Sequence, residues 1–408
     1  MKVAIVGGGV VGLAFALHLH RRQIDCEVFE AVPEVTEMGV GITLLPHATR
    51  ELAEIGLLDR LEQVAIENYE SAFFNRYGQA IYKELRGRHA GYPTPELGIH
   101  RGKLHRILYE EAVRQLGPER IHTGHRCQRV EQDATGVTIR FALQDGSARD
   151  VRADLAVACD GVNSVVRKQF YPHDKVCFAG INTWRGVSVH APILGGKTYL
   201  RIGSIETGKM VIYPIVDNVD GQGRQLINWM AEIRQPEQAM NDWNKPGKPE
   251  DFLSIFQNWD FDWLNVPELI RSAERVFEYP MVDKDALPRW SFARVTLMGD
   301  AAHPMYPRGS NGSAQGMIDA RTLADLLVAM PHDPVAALAE YERVRLPATA
   351  KVVETNRSVP PDAIIMKVDE LSGGQPFDNL DALISQEELM AISENYKRVA
   401  GFSLQAAR

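Results

Sequence analysis

Three clusters in this 408-residue chain pair glycine with a carboxylate in a way that suits nucleotide binding. The first is Gly7, Gly9 and Gly12, spaced GxGxxG between a β-branched run at residues 2–6 and a helix-period apolar run at residues 10–22. Missing side chains at such a turn let the backbone approach a pyrophosphate at the positive end of a helix. Glu30 closes the next strand-like run about twenty residues later, where a carboxylate can accept hydrogen bonds from both ribose hydroxyls. The spacing predicts a bound dinucleotide and does not choose between FAD and NAD.

The second cluster, Asp160-Gly161 with Ser164 and Arg167, follows an apolar run at residues 155–159. The third, Gly299-Asp300, follows the run at residues 295–299 and leads through His303, Tyr306, Pro307 and Arg308 to Gly309, Asn311 and Gly312. A carboxylate at a strand end can bind a sugar-alcohol hydroxyl, and glycines opening a helix present N–H groups to an anion.

Strand, glycine turn, helix and a second strand at residues 27–30 form the βαβ unit of parallel sheets. The middle third is β-rich, with strand-like runs at residues 137–143, 155–159, 211–216 and 226–230. A buried-type strand returns at residues 295–299, and a helical pattern follows from about residue 311 to residue 330, so the dinucleotide domain is discontinuous. The expected order is residues 1–177 for its first part, with an excursion at 68–98 into a mostly antiparallel substrate domain spanning 178–282. Its second part is 283–354, and 355–408 is a helical tail broken by residues 358–361, Gly373-Gly374 and Pro376.

Charge and composition exclude some classes. Hydrophobic residues at 45% with charged residues at 24% suit a folded soluble protein, and a net charge of -8 without a Lys/Arg cluster disfavours nucleic acid. No apolar stretch is long enough to span a membrane, and the glycines at residues 7–9 argue against a leader, so the cytoplasm is expected. Cys26, Cys127, Cys159 and Cys177 lack CxxC spacing and read as buried thiols. His122 and His125 form HxxH, but residues 121–130 read as strand with no third ligand nearby, so no metal is expected. There is no GxSxG elbow. His47, Tyr199, Tyr213 and His303 are acid–base candidates by location, although such residues more often complete hydrogen-bond networks. Trp184, Trp229, Tyr213, Met210 and Met305 line an aromatic pocket or, more simply, fill a core.

Taken in order, GxGxxG, Asp160-Gly161 and Gly299-Asp300 resemble the three motifs of the class A, single-component FAD-dependent aromatic monooxygenases of the para-hydroxybenzoate hydroxylase fold. Further pieces are similar to the phenazine-carboxylate hydroxylase branch: Gly39-Val40-Gly41-Ile42, His100-Arg101-Gly102, Trp184-Arg185-Gly186-Val187 and Tyr279-Pro280-Met281. The likeness covers about residues 1–355 and leaves the tail unmatched.

The resemblance implies an α/β fold, with a Rossmann-like FAD domain carrying an inserted sheet domain. FAD pyrophosphate would lie on Gly7, Gly9, Val10, Val11 and Gly12, with Arg101 reaching it from the following segment. The adenosine ribose would meet Glu30, with Ala31 and Gly41 also in the cofactor set, and adenine would lie near Cys127. Asp160 and Arg167 would sit near the junction with NADH or NADPH, Asp300 on the ribityl chain, and Gly309, Asn311 and Gly312 at the flavin pyrimidine. Arg185, Tyr213, Trp229 and Pro307 are the substrate candidates. The implied reaction uses oxygen, through a flavin C4a-hydroperoxide, to hydroxylate a small aromatic, in a monomer or homodimer. A reductase or saturase of the same fold is a rival that oxygen incorporation separates. A non-catalytic nicotinamide-binding protein is another, in which the Gly299-Asp300 cluster would have no purpose.

Overall fold

The computed structural model describes residues 1–35, 39–235, 245–358, 362–399 and 403–404; the expected break at residues 359–361 lies outside them. One six-stranded sheet runs in the order Ser291–Phe292, Val295–Leu297, Leu155–Ala158, Lys2–Val6, Asp25–Phe29 and Ile121–His122. Its four inner strands are parallel: Lys2–Val6 pairs with Leu155–Ala158 and Asp25–Phe29, and Leu155–Ala158 pairs with Val295–Leu297. These strands are short apolar runs because the sheet is covered by helices, among them Val10–Arg21, and by a three-stranded antiparallel sheet of Arg126–Gln132, Val137–Ala142 and Ala148–Ala153, whose Val137, Ile139 and Phe141 share their core. Parallel register has a direct consequence. Val6 stands beside Phe29 and Ala158, and Ala158 beside Leu297, so Gly7, Glu30, Asp160 and Asp300 all emerge at one carboxyl edge, where open α/β sheets bind ligands.

The second sheet has eight strands, ordered Lys245–Pro246, Val276–Lys284, Val176–His190, Gln225–Arg234, Lys209–Val216, Thr198–Ile202, Glu70–Phe74 and Ala80–Leu85. All neighbours are antiparallel except Thr198–Ile202 with Glu70–Phe74. Alternation divides its side chains. Trp184, Leu200, Met210, Ile212 and Trp229 pack under Phe252, Phe256, Leu269 and Ile270. The opposite face presents Tyr199, Val211, Tyr213, Ile215 and Met230.

That division corrects one expectation. Trp229, a substrate candidate, is fully buried on the helix-covered face, where its indole N–H donates to Ser188 Oγ at 3.0 Å. Trp184 stacks on Phe252 with centroids 4.9 Å apart, so it too is core.

Gly41–Leu44 and Leu97–His100, paired antiparallel, join the two sheets. The Gly41 N–H donates to Asn228 Oδ1 at 2.7 Å, and a Cβ on Gly98 would overlap the Pro214 carbonyl. The tail folds back as helices Ala363–Ser372 and Gln386–Val399, whose Ile364, Ile365, Val368 and Leu389 bury against Phe73, Ile81 and Tyr82.

Gly98→Ala should force this seam apart, lowering stability by about 1–3 kcal/mol through overpacking. A reduced urea midpoint at unchanged slope checks this, and a wild-type midpoint would contradict it.

Candidate active site

At the carboxyl edge, Gly7 has φ +108, and a Cβ there would strike the Cys159 carbonyl. A Cβ on Gly12 would strike the Gly7 carbonyl, whereas one on Gly9 would meet nothing within 4 Å. The turn is closed on the protein side and open on the other. No side chain among the described residues caps the Val10–Arg21 helix, so its first N–H groups are left for an anion. Gly8 is gripped twice: its N–H donates to Glu30 Oε2 at 2.7 Å, and its carbonyl lies 2.7 Å from His105 Nε2. Glu30 Oε1 accepts from the Val32 N–H at 2.9 Å, which holds the carboxylate beside the half-buried Ala31. His105 had no motif to mark it.

Asp300 lies open to solvent but ringed by protein; that desolvation pushes its pKa up, against the pull of His303 and Arg101. Gly299, at φ +60, and Gly316 both face Val11, and a Cβ on Gly316 would lie 2.5 Å from Val11 Cγ2. Behind Asp300, His303 Nε2 lies 2.5 Å from Asp319 Oδ2, and Arg345 Nε donates to Asp319 Oδ1 at 2.7 Å. Burial would raise the Asp319 pKa, but His303 and Arg345 hold it below the ordinary carboxylate range. His303 is thus part of a buried network, not an exposed acid–base group.

Residues 309–312 enter the Gly312–Ala329 helix through two left-handed residues, Gly309 at φ +71 and Ser310 at φ +58. Asn311 occupies the N-cap without capping the helix, because its side chain is engaged elsewhere. Its Oδ1 lies 3.0 Å from His47 Nε2, and its Nδ2 donates to the Tyr396 hydroxyl at 3.2 Å. Burial pushes the His47 pKa down to about 4, so the ring is neutral at pH 7 and donates to Asn311 as its Nε2–H tautomer. A second uncapped helix therefore starts beside Asp300.

Asp160 Oδ2 accepts from the Val165 N–H at 2.8 Å, while its buried Oδ1 has no hydrogen-bond partner among the described residues. Burial pushes the Cys127 thiol up to about 12, and Asp160 adds to the shift. Arg167 departs from expectation. It is fully buried, paired with Asp174 through two 2.9 Å bonds, and donates to the Ala302 carbonyl at 2.8 Å, so it braces the Asp300 segment from behind. Gly41, expected at the cofactor, has its N–H taken by Asn228. In the HxxH pair, His122 stacks on Phe29 with centroids 4.7 Å apart, its strand ends before His125, and the two imidazole centroids lie 5.5 Å apart.

On the face of the second sheet opposite the helix-covered one, Tyr213 stacks on Tyr199 with centroids 5.0 Å apart, and burial pushes its phenol pKa up. Arg201, Val211, Met230 and Arg185 form one row in register across four strands. The Arg185 guanidinium lies 5.6 Å from the Tyr279 ring centroid, and its buried Nε has no hydrogen-bond partner among the described residues. Pro307 is exposed on the loop ahead of residues 309–312.

Asp319→Asn should cost about 3–5 kcal/mol at pH 7 by leaving Arg345 buried without its counter-charge. A carboxyl whose folded pKa is depressed stabilises above its unfolded pKa and loses that contribution as pH falls through the folded one. The gap between wild type and variant in urea unfolding should therefore narrow below about pH 4; a gap that widens in acid would contradict the network.

Known proteins bear on this geometry. The FAD binding domain family model matches residues 1–252 and 261–356. Phenazine 1,6-dicarboxylic acid hydroxylase of Lysobacter antibioticus is 36% identical over 362 residues, covering 87% of this chain and 89% of that one. 3-Hydroxybenzoate 6-hydroxylase of Polaromonas naphthalenivorans is 30% identical over 368 residues, 88% of this chain and 87% of its own. Among solved structures, Klebsiella pneumoniae HpxO complexed with FAD and uric acid superposes with a TM-score of 0.75 at 23% identity, covering 100% of this chain and 97% of that one. With its glycine turn, Asp160 and Asp300 on one sheet edge, the chain belongs to the FAD binding domain family.

Proposed function

We propose that this protein is an FAD-dependent monooxygenase that consumes NADH or NADPH and oxygen to hydroxylate a carboxylated aromatic ring, with Arg185 receiving the carboxylate. The observation that carries the substrate reading is Arg185 itself: a half-buried guanidinium with an unpartnered Nε beside Tyr279, on the face that holds Tyr199 and Tyr213. Leaving such a group without a partner is costly, and a planar carboxylate matches its fork. The relatives named above act, by their names, on phenazine 1,6-dicarboxylic acid and on 3-hydroxybenzoate, and both compounds are carboxylated aromatics.

FAD fits the residues present. The open side of the Gly7–Gly12 turn suits a pyrophosphate, Asp300 has a solvent-open carboxylate for the ribityl hydroxyls, and the helix start at Gly312 suits an electron-rich ring edge. Asp160, held at the same sheet edge by the Val165 N–H, suits a polar group of either nucleotide. When bound, the flavin supplies hydride acceptance and oxygen activation.

The chain contributes positioning and dryness. Tyr213 keeps its proton and acts as wall and donor, while Val211 and Met230 give an apolar platform between Arg201 and Arg185. Hydroxylases and monooxygenases among the relatives favour oxygen insertion over the reductase and the non-catalytic reading. No helix among the described residues is long and apolar enough to cross a membrane, and the four free thiols suit the cytoplasm. A monomer or homodimer remains the proposed assembly.

The test is NAD(P)H oxidation by the purified protein in air against carboxylated aromatics and their methyl esters, with the product analysed for an inserted oxygen. Arg185→Met should raise KM for the carboxylate about 10–100-fold, the equivalent of one charge-assisted hydrogen bond, and leave FAD content unchanged. Equal KM values for acid and ester, or an unchanged KM in the variant, would remove Arg185 from the substrate site.

A further inference from the structure

The tail beyond residue 356 lies outside the matched family model, yet one of its side chains reaches the start of the Gly312–Ala329 helix. We infer that Tyr396, on the C-terminal helix Gln386–Val399, is a positioning residue for residues 309–312, which makes the tail a working part of the flavin site. This rests on the FAD reading above.

Tyr396 is 7% exposed. Its hydroxyl accepts from Asn311 Nδ2 at 3.2 Å and lies within donating distance of Asn356 Oδ1 at 3.2 Å and the Arg308 carbonyl at 3.3 Å. One phenolic O–H, with one proton and two lone pairs, thus ties the loop to the end of the Pro334–Ser358 helix. The fit is steric as well as polar, since a Cβ on Gly309 would overlap the Tyr396 hydroxyl.

The junction holds a conformation that is locally unfavourable. Ser310 is left-handed without being glycine, a state costing about 1–2 kcal/mol that surrounding contacts must offset. Asn311, the next residue, is fixed from both sides, by His47 and by Tyr396. The C-terminal helix is itself pinned at Glu84, which accepts from Ser393 Oγ at 2.6 Å and Lys397 Nζ at 2.9 Å. Tyr396 therefore has a rigid base from which to hold the loop.

Full-length wild type and Tyr396→Phe are compared in three ways: FAD titration by fluorescence, the midpoint potential of the bound flavin, and the ratio of hydrogen peroxide to hydroxylated product per NAD(P)H. Losing the hydrogen bond that fixes Asn311, about 1 kcal/mol, should weaken FAD binding about fivefold. The potential should become more negative, because a displaced helix N-terminus stabilises the reduced anion less. The peroxide share should rise severalfold as oxygen is reduced without reaching substrate. A folded variant with wild-type affinity, potential and coupling would overturn the role of Tyr396 while leaving the FAD reading intact. Should Tyr396→Phe fail to fold, Ser393→Ala, which loosens the C-terminal helix from Glu84 without touching the loop, is judged by the same readouts. Wild type that takes up no FAD would remove the underlying reading and this inference with it.

Discussion

Val11 fits into a slot formed by Gly299 and Gly316, and the geometry of the site depends on that fit. A methyl group on Gly316 would lie 2.5 Å from Val11 Cγ2, so only glycine lets the Val10–Arg21 and Gly312–Ala329 helices approach this closely at their N-terminal ends. Two uncapped helix starts are thereby brought to one sheet edge with their positive ends close together. Parallel register adds Glu30, Asp160 and Asp300 to that edge. The arrangement suits a ligand that carries a pyrophosphate at one end and an electron-rich ring at the other.

The close approach needs support from behind. His303, Asp319 and Arg345 form a buried charge network beneath Asp300, and Arg167 with Asp174 braces the same segment from the other flank. Such networks add little net stability compared with an apolar core, but each partner is costly to leave alone, so they hold one geometry. On the loop side the same work falls to neutral groups, His47, Asn311, Tyr396 and Asn356, which leave the local charge unchanged.

Fold and family were legible because their constraints are local. Glycines forced by close contact, as at Gly7 and Gly12, and acids at strand ends leave short signatures, and apolar runs reveal the parallel strands. Side-chain direction was less legible. Trp229 stands on a strand of the right sheet but, by the parity of alternation, faces the helix-covered core. Arg167 sits in a nucleotide motif, yet its partner Asp174 lies seven residues on and turns it inward. At Gly41 the glycine is required against Asn228, a contact 187 residues away that no local pattern encodes. Tyr396 meets Asn311 across 85 residues, and no local pattern encodes a contact of that span.

The most direct test of the slot is a double-mutant cycle on FAD binding with Gly316→Ala, Val11→Ala and both together. Alanine favours the helix over glycine by about 1 kcal/mol, so any loss in Gly316→Ala must come from the contact with Val11. The account predicts that Gly316→Ala keeps a cooperative fold but binds FAD at least about tenfold more weakly, an effect of about 1.4 kcal/mol, and that adding Val11→Ala restores much of the affinity. Wild-type affinity in Gly316→Ala, or additive losses in the double variant, would contradict it.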